Sequence, residues 1–332
     1  MQLQADVVVG LQAGDEAKGK VTHHLCKSGE FTHVLRFNGG CNAGHTIYHD
    51  GKKFVTHHIP AGVFFGIKSI IGPGCVLNVD QFFKELKELQ SGGIDTEGLI
   101  FVSENTHIIT DSHIAEENSE NKIGTTKRGN GPAYRDKYSR LGRRASEVPA
   151  LEPYLIDVYE EFYAAGIPPA NILCEGAQGF ELDIDWGDYP YVTSSHCTTA
   201  GALLNGIPAR SIRKVWGVGK IYQTYVGSKD FEPAGEEFKK LREYGEEFGA
   251  TTGRPRQCNW LDMDKLSRAI NVNGVTDLVL NKLDVIRRVG IWKLIVGGKV
   301  QEFGTESEMK AFIKTTVNPE LKIYFSESKE KI

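Results

Sequence analysis

The segment Gly10-Leu11-Gln12-Ala13-Gly14-Asp15-Glu16-Ala17-Lys18-Gly19-Lys20 constrains this chain more than any other, because it follows the apolar run Val7-Val8-Val9 and leads into a helix-compatible stretch. The order is that of strand, phosphate loop and helix. Glycines let backbone N–H groups approach an anion, the helix N-terminus adds its positive dipole end, and Lys18 or Lys20 supplies a point charge. Lys20 is followed by Val21 and the loop carries Asp15 and Glu16, so this is not a P-loop of the G-x-x-x-x-G-K-[ST] kind. An acid inside a phosphate cradle either holds a metal that screens the repulsion or works as a base beside the phosphate. A surface turn before a helix is the plain alternative.

Further apolar runs recur at Val34 to Phe37, Ile70 to Ile71, Leu99 to Val102, Ile172 to Cys174, Val215 to Ile221 and Leu278 to Val285. Helix-compatible stretches lie at Gln81 to Leu89, Leu151 to Ala164, Gly235 to Phe248 and Met263 to Asn271. That alternation predicts an α/β fold, one large domain over residues 1–332 with a central, mainly parallel sheet flanked by helices. The polar, glycine-bearing stretch from Ile114 to Arg144 reads as a long functional loop. A net charge of -4 leaves no basic footprint for nucleic acid, which points to small anions as partners. No apolar run approaches the roughly 18 residues of a membrane span and no signal peptide is evident, so a cytoplasmic protein is expected. The six cysteines form no C-x-x-C pair, which favours reduced thiols over disulfides or zinc. His57-His58, in an alternating, strand-like stretch, reads as a structural pair.

A second glycine-rich turn, Asn38-Gly39-Gly40-Cys41-Asn42-Ala43-Gly44-His45-Thr46, follows the second apolar run, and in a parallel sheet both turns open at one carboxyl edge. His45 would then face Asp15 across a phosphate pocket, an acid and base pair in different surroundings. Gly124-Thr125-Thr126-Lys127-Arg128-Gly129-Asn130-Gly131-Pro132, with Lys137 and Arg140 beyond, reads either as an anion clamp or as a solvated basic loop. Gln178, in Glu175-Gly176-Ala177-Gln178-Gly179, suits the polar edge of a base or is a satisfied loop amide. Gly249-Ala250-Thr251-Thr252-Gly253-Arg254-Pro255-Arg256 offers hydroxyls and guanidinium forks for carboxylates and phosphates. Lys282-Leu283-Asp284 matches guanine recognition or is a strand-end charge cluster.

Taken in order, Gly14-Asp15-Glu16-x-Lys18-Gly19-Lys20, Asn42-Ala43-Gly44-His45-Thr46, Ile123-Gly124-Thr125-Thr126, Glu175 to Gly179, Tyr189-Pro190-Tyr191-Val192-Thr193-Ser194-Ser195, Thr251 to Arg256 and Lys282-Leu283-Asp284 resemble the adenylosuccinate synthetase family. That resemblance implies a dimeric ligase that joins L-aspartate to C6 of inosine monophosphate (IMP), using GTP and Mg2+. Asp15 would take the purine N1 proton so that O6 attacks the γ-phosphate, and His45 would be the acid for the leaving diphosphate. Asp15 and the Gly44 carbonyl would hold Mg2+, with Lys18 beside it. The purine nucleotide would meet Asn42, Ala43, Gly44, Thr126, Gln178, Thr193 and Arg254, with Arg140 reaching it from a neighbouring subunit. Ala250, Thr251, Thr252, Gly253, Arg254 and Arg256 would hold aspartate. GTP would meet Gly14, Glu16, Ala17, Lys18, Gly19, Lys20, Gly44, Thr46, Arg256, Lys282, Leu283 and Asp284.

The chain departs from the family where Ala13 replaces the usual Trp and Ala17 the usual Gly, in an abbreviated Arg144 to Asn171 region, and in Phe325-Ser326-Glu327-Ser328 where a Ser-x-Gly-Pro turn is usual. A roomier pocket beside Asp15 and a short chain also fit relatives in some bacteriophages, which use deoxyguanylate (dGMP) in place of IMP. ATP or dATP as donor, and a noncatalytic purine-nucleotide-binding protein, stand as further alternatives. Such phage relatives often carry serine in place of the aspartate, and Asp15 favours IMP.

Overall fold

A computed structural model describes residues 3–119, 124–249, 253–329 and 331–332 of the chain. Among them nine strands form one sheet: β1 (Leu3–Gly10), β2 (His33–Arg36), β3 (Lys68–Ile71), β4 (Ile100–Ser103), β5 (Leu155–Ile156), β6 (Ala170–Glu175), β7 (Ile212–Lys220), β8 (Asp277–Asn281) and β9 (Lys322–Phe325). Their order is β9-β8-β7-β1-β6-β2-β3-β4-β5, and every neighbouring pair is parallel. A parallel sheet is covered on both faces by its crossover connections, so its central strands can be apolar throughout. In β1 the side chains of Val7 and Val9 join one core and that of Val8 joins another on the opposite face.

The flanking helices form where sequence periodicity and caps agree. The helix Val79–Ser91 buries Phe82, Leu86 and Leu89, and the Asn78 side chain accepts the Gln81 N–H at 2.8 Å. The helix Met263–Asn273 starts under an Asp262 cap and stops at Gly274, whose φ of 62° suits a residue without Cβ. A second sheet, in which Tyr222–Tyr225 pairs antiparallel with Gln257–Asp262, stands beside the main one and carries the chain away from Arg256.

Some expectations need correction. Leu151 to Ala164 is not one helix: Pro149 and Pro153 confine Pro149–Tyr154 to a 3-10 form, β5 follows, and only Val158–Tyr163 is α-helical. The strand expected to reach Val285 ends at Asn281, and a helix, Leu283–Val289, begins after Lys282. The stretch read as a long loop contains most of Asp111–Ser119 and all of Asn130–Ser139, two helices packed on each other. His57-His58 lies just past the strand Lys52–Thr56, where Glu85 accepts the backbone N–H of both residues, so the structural reading holds with the pair outside the strand. All six cysteines are buried and free.

Candidate active site

Five strand ends, Asn281, Lys220, Gly10, Glu175 and Arg36, stand side by side at the carboxyl edge of the sheet. The two glycine-rich turns therefore open at one edge, as expected, but β6 lies between their strands, and the turn after Glu175 is wedged between them. Gln178 Nε2 donates to Asn42 Oδ1 at 2.9 Å, and Ala177 N–H to Asn38 Oδ1 at 2.8 Å. A Cβ on Gly10 would stand 2.6 Å from the Gln178 carbonyl oxygen, so only glycine lets the two loops come this close.

The loop after β1 turns through left-handed residues, with φ of 86° at Gly14, 59° at Asp15 and 70° at Ala17. Glu16 holds it in that shape from inside. Its Oε1 accepts the N–H of Gln12 at 3.1 Å and of Gly14 at 2.9 Å, and its Oε2 accepts Lys18 Nζ at 2.6 Å. The following helix α1 (Lys18–Cys26) carries no side-chain cap, so its first N–H groups and dipole end belong to the cavity. The two lysines are not the free point charges that the sequence offers. Lys18 pairs with Glu16, while Lys20 Nζ donates to Asn281 Oδ1, Ser326 Oγ and the Ser328 carbonyl at 2.5, 2.7 and 3.0 Å. Burial pushes the Lys20 ammonium down to about 8. An anion here would meet the backbone dipoles together with these two lysines, which line the cavity while holding their protein partners.

His45 lies under the helix start, where a Cβ on Gly19 would be 2.8 Å from the His45 Cβ. Its Nδ1 is 2.5 Å from Glu175 Oε1, the same oxygen that accepts Arg36 Nη1 at 2.6 Å, and Glu175 Oε2 accepts the Ala61 N–H at 2.9 Å. Burial and the Arg36 guanidinium push the imidazole down to about 4, against the pull of Glu175. Burial opposes ionisation of Glu175, but His45 and Arg36 outweigh it and hold the carboxyl below its ordinary range. A neutral ring that donates Nδ1–H to Glu175 has its Nε2 as the remaining polar atom.

Asp15 is about one third exposed, and its Oδ2 lies 2.9 Å from Arg256 Nε. Arg256 Nη1 donates to Glu247 Oε2 at 2.6 Å. Behind it Glu247 also accepts Tyr222 OH at 2.6 Å and Lys220 Nζ at 3.2 Å.

Asp15 and His45 line one cavity of about 720 Å³. With them are Gly14, Glu16, Ala17, Lys18, Gly19, Lys20, Asn42, Ala43, Gly44, Thr46, Thr126, Gln178, Thr193, Arg254, Arg256, Lys282 and Asp284, which are nearly all of the residues singled out from sequence. Others lie apart. The Leu283 side chain is buried in the main core, Gly253 is exposed outside the cavity lining, and Arg140, at the C-terminus of Asn130–Ser139, is exposed outside it too. Ala250, Thr251 and Thr252 lie outside the described residues. Sequence reading missed Arg36 and Glu247. Arg36 left one signal, a cation closing an apolar run; Glu247 gave none that stands out from surface charge.

A parallel sheet with an anion cradle, a buried imidazole and an acid converging at its carboxyl edge defines an α/β enzyme built to handle phosphate esters. Comparison with known proteins is more specific. The family model described as adenylosuccinate synthetase matches residues 7–151 and 147–320. Adenylosuccinate synthetases of Chlorobaculum parvum and Wolinella succinogenes are 38% and 40% identical, over 92% and 86% of this chain and 83% and 80% of theirs. The fully ligated adenylosuccinate synthetase of Plasmodium falciparum superposes with a TM-score of 0.80 at 31% identity, covering 92% of this chain and 85% of that one. A cyanophage S-2L succinoaminodeoxyadenylate synthetase bound to dGMP and dATP shares the fold, with a TM-score of 0.70 at 21% identity over 94% of this chain and 99% of that one. The chain belongs to the adenylosuccinate synthetase family and is, with it, a carbon–nitrogen ligase of purine biosynthesis.

Proposed function

We propose that the protein makes adenylosuccinate from IMP and L-aspartate at the expense of GTP, as a single catalytic unit. The observation that carries this reading is the convergence of Asp15 and His45, from two different strand ends, on one cavity. Asp15 takes the proton from N1 of the purine, and O6 attacks the γ-phosphorus of GTP. The O6–P bond forms, the bond from phosphorus to the bridging oxygen breaks, and GDP leaves. His45 serves the leaving diphosphate: negative phosphate oxygens beside Nε2 favour its protonation, so the ring donates a hydrogen bond there while Glu175 holds Nδ1. The amine of aspartate then attacks C6 and phosphate departs.

Asp15 and the Gly44 carbonyl, both lining the cavity, are hard oxygen donors of the kind Mg2+ takes while keeping water and phosphate as its other ligands. Mg2+ bound there would offset charge on the triphosphate. Arg254 and Arg256 suit the carboxylates of aspartate, and Asp284 suits the N1–H and 2-amino group of guanine. The reading carries with it a homodimer, in which the exposed Arg140 reaches the purine nucleotide of a neighbouring subunit, and a cytoplasmic location, the host's if the gene is viral. No described helix is long and apolar enough to cross a membrane.

Incubation with IMP, GTP, Mg2+ and aspartate, followed by the purine absorbance change, tests this directly. Parallel reactions with GMP or dGMP as acceptor and ATP or dATP as donor complete the set. Turnover with IMP and GTP is expected. Turnover confined to dGMP would assign the phage-type reaction, for which the small Ala13 beside Asp15 leaves room, and no turnover with any pair would leave a nucleotide-binding protein.

A further inference from the structure

The residues that bear directly on the cavity do not account for a second, deeper set of charges. Lys220 ends β7 and is 1% exposed, and Glu247 follows the helix Glu236–Gly245 and is 0% exposed. Neither lines the cavity. Lys220 Nζ donates to Thr224 Oγ1 at 2.5 Å and reaches both Glu247 oxygens at 3.2 to 3.3 Å, and Tyr222 OH donates to Glu247 Oε1 at 2.6 Å. The second Glu247 oxygen takes Arg256 Nη1 at 2.6 Å, and Arg256 Nε lies 2.9 Å from Asp15. Charges therefore alternate from the interior to the cavity: Lys220, Glu247, Arg256, Asp15.

The backbone repeats the link. Arg256 N–H donates to the Glu247 carbonyl at 2.9 Å, Glu247 N–H to that of Arg242 at 2.9 Å, and Arg242 Nε to that of Arg256 at 2.8 Å. These bonds close the stem of the loop that carries Arg254 and Arg256. A guanidinium on a long side chain at a loop base has many rotamers, and an in-plane bond from Nη1 to a fixed carboxylate fixes the plane of the whole fork. Burial works against a charged Glu247, but Lys220, Arg256 and Lys282 outweigh it and hold the group at about 2, so the anchor is ionised at any working pH.

We propose that Glu247 is a positioning residue for the reaction: from behind the cavity it fixes the Arg256 guanidinium against Asp15. The proposal rests on the reading of Asp15 and Arg256 given above. Lys220 serves the stability of the buried carboxylate and has no part in aiming Arg256.

Three variants separate these roles: E247Q, K220M and E247D. Each is assayed for kcat and for the KM of aspartate and of IMP, with its Tm recorded. E247Q is expected to lower kcat/KM for aspartate by about 100-fold, the order seen when a reacting group is displaced by about an ångström, with the KM of IMP within about threefold of wild type. K220M is expected to lower Tm yet keep kcat/KM within about threefold. E247D keeps the charge and shortens the reach by one methylene, and is expected to lose about tenfold. Activity of E247Q within threefold of wild type overturns the proposal, as does a loss in K220M equal to that in E247Q, since a merely structural ion pair would fail from either side. Should E247Q not fold, E247D decides, and unchanged activity there overturns it. A wild-type enzyme that turns over no purine nucleotide would instead sink the functional reading itself.

Discussion

His45 Nδ1 and Glu175 Oε1 lie 2.5 Å apart, although 130 residues separate them in the chain. The contact favours the imidazole tautomer that donates Nδ1–H to Glu175, and on the proposed reading Nε2 then serves the leaving diphosphate. On that reading, His45→Asn removes a positioned acid without adding bulk. It is expected to lower kcat by about 10²- to 10⁴-fold. Steady-state kinetics with saturating IMP and GTP check it, and a loss confined to KM would show that the ring only binds.

Asp15→Asn keeps the shape of the side chain and removes its charge. Turnover is expected to vanish, while IMP binding measured by calorimetry stays within about tenfold of wild type. An unfolded or insoluble variant would mean that the residue is structural.

Gly19 leaves no room above His45, since an added Cβ would be 2.8 Å from the His45 Cβ. Gly19→Ala is expected to cost about 1–3 kcal/mol of stability through overpacking and to reduce kcat by shifting the ring. Ala17, by contrast, sits at φ 70°, a conformation that favours glycine. Ala17→Gly should raise stability by roughly 0.5–1 kcal/mol, the relieved strain exceeding the added entropy of the unfolded chain. Urea unfolding of the two variants should therefore move in opposite directions.

Burial is the first cause that pushes both His45 and His58 down to about 4. The ordinary value, about 6.5, applies in the unfolded chain. As pH falls between these values the unfolded state takes up the proton and the folded state does not, so stability rises with pH across this window and is lost as pH drops through it. Unfolding at pH 4.5 should need less free energy than at pH 7.5 by roughly 2–3 kcal/mol for each ring. His58→Gln should remove its share of the slope, and an equal slope in that variant would assign the effect to other groups.

The cradle after β1 was legible because strand, glycines and helix start lie within one short segment and form largely by local rules. The helical reading of Leu151 to Ala164 failed where Pro149 and Pro153 outweighed the apolar spacing. Lys20 reads from sequence as a point charge for an anion and Glu16 as an acid beside it, while folding gives both of them partners inside the protein, and the contacts of Lys20 with Asn281 and Ser326 cannot be seen from its neighbours in sequence.

The α/β class, the two loops that end β1 and β2, and the acid and imidazole they carry follow from the order of residues along the chain, because they depend on residue chemistry and on short-range backbone preference. Tertiary structure alone decided that β6 enters between those strands, that Arg36 and Glu175 govern His45, and that Lys220 and Glu247 stand behind Arg256. Burial and the field of neighbouring charges set proton affinities and side-chain aim, and both arise from residues brought together by folding from distant parts of the chain.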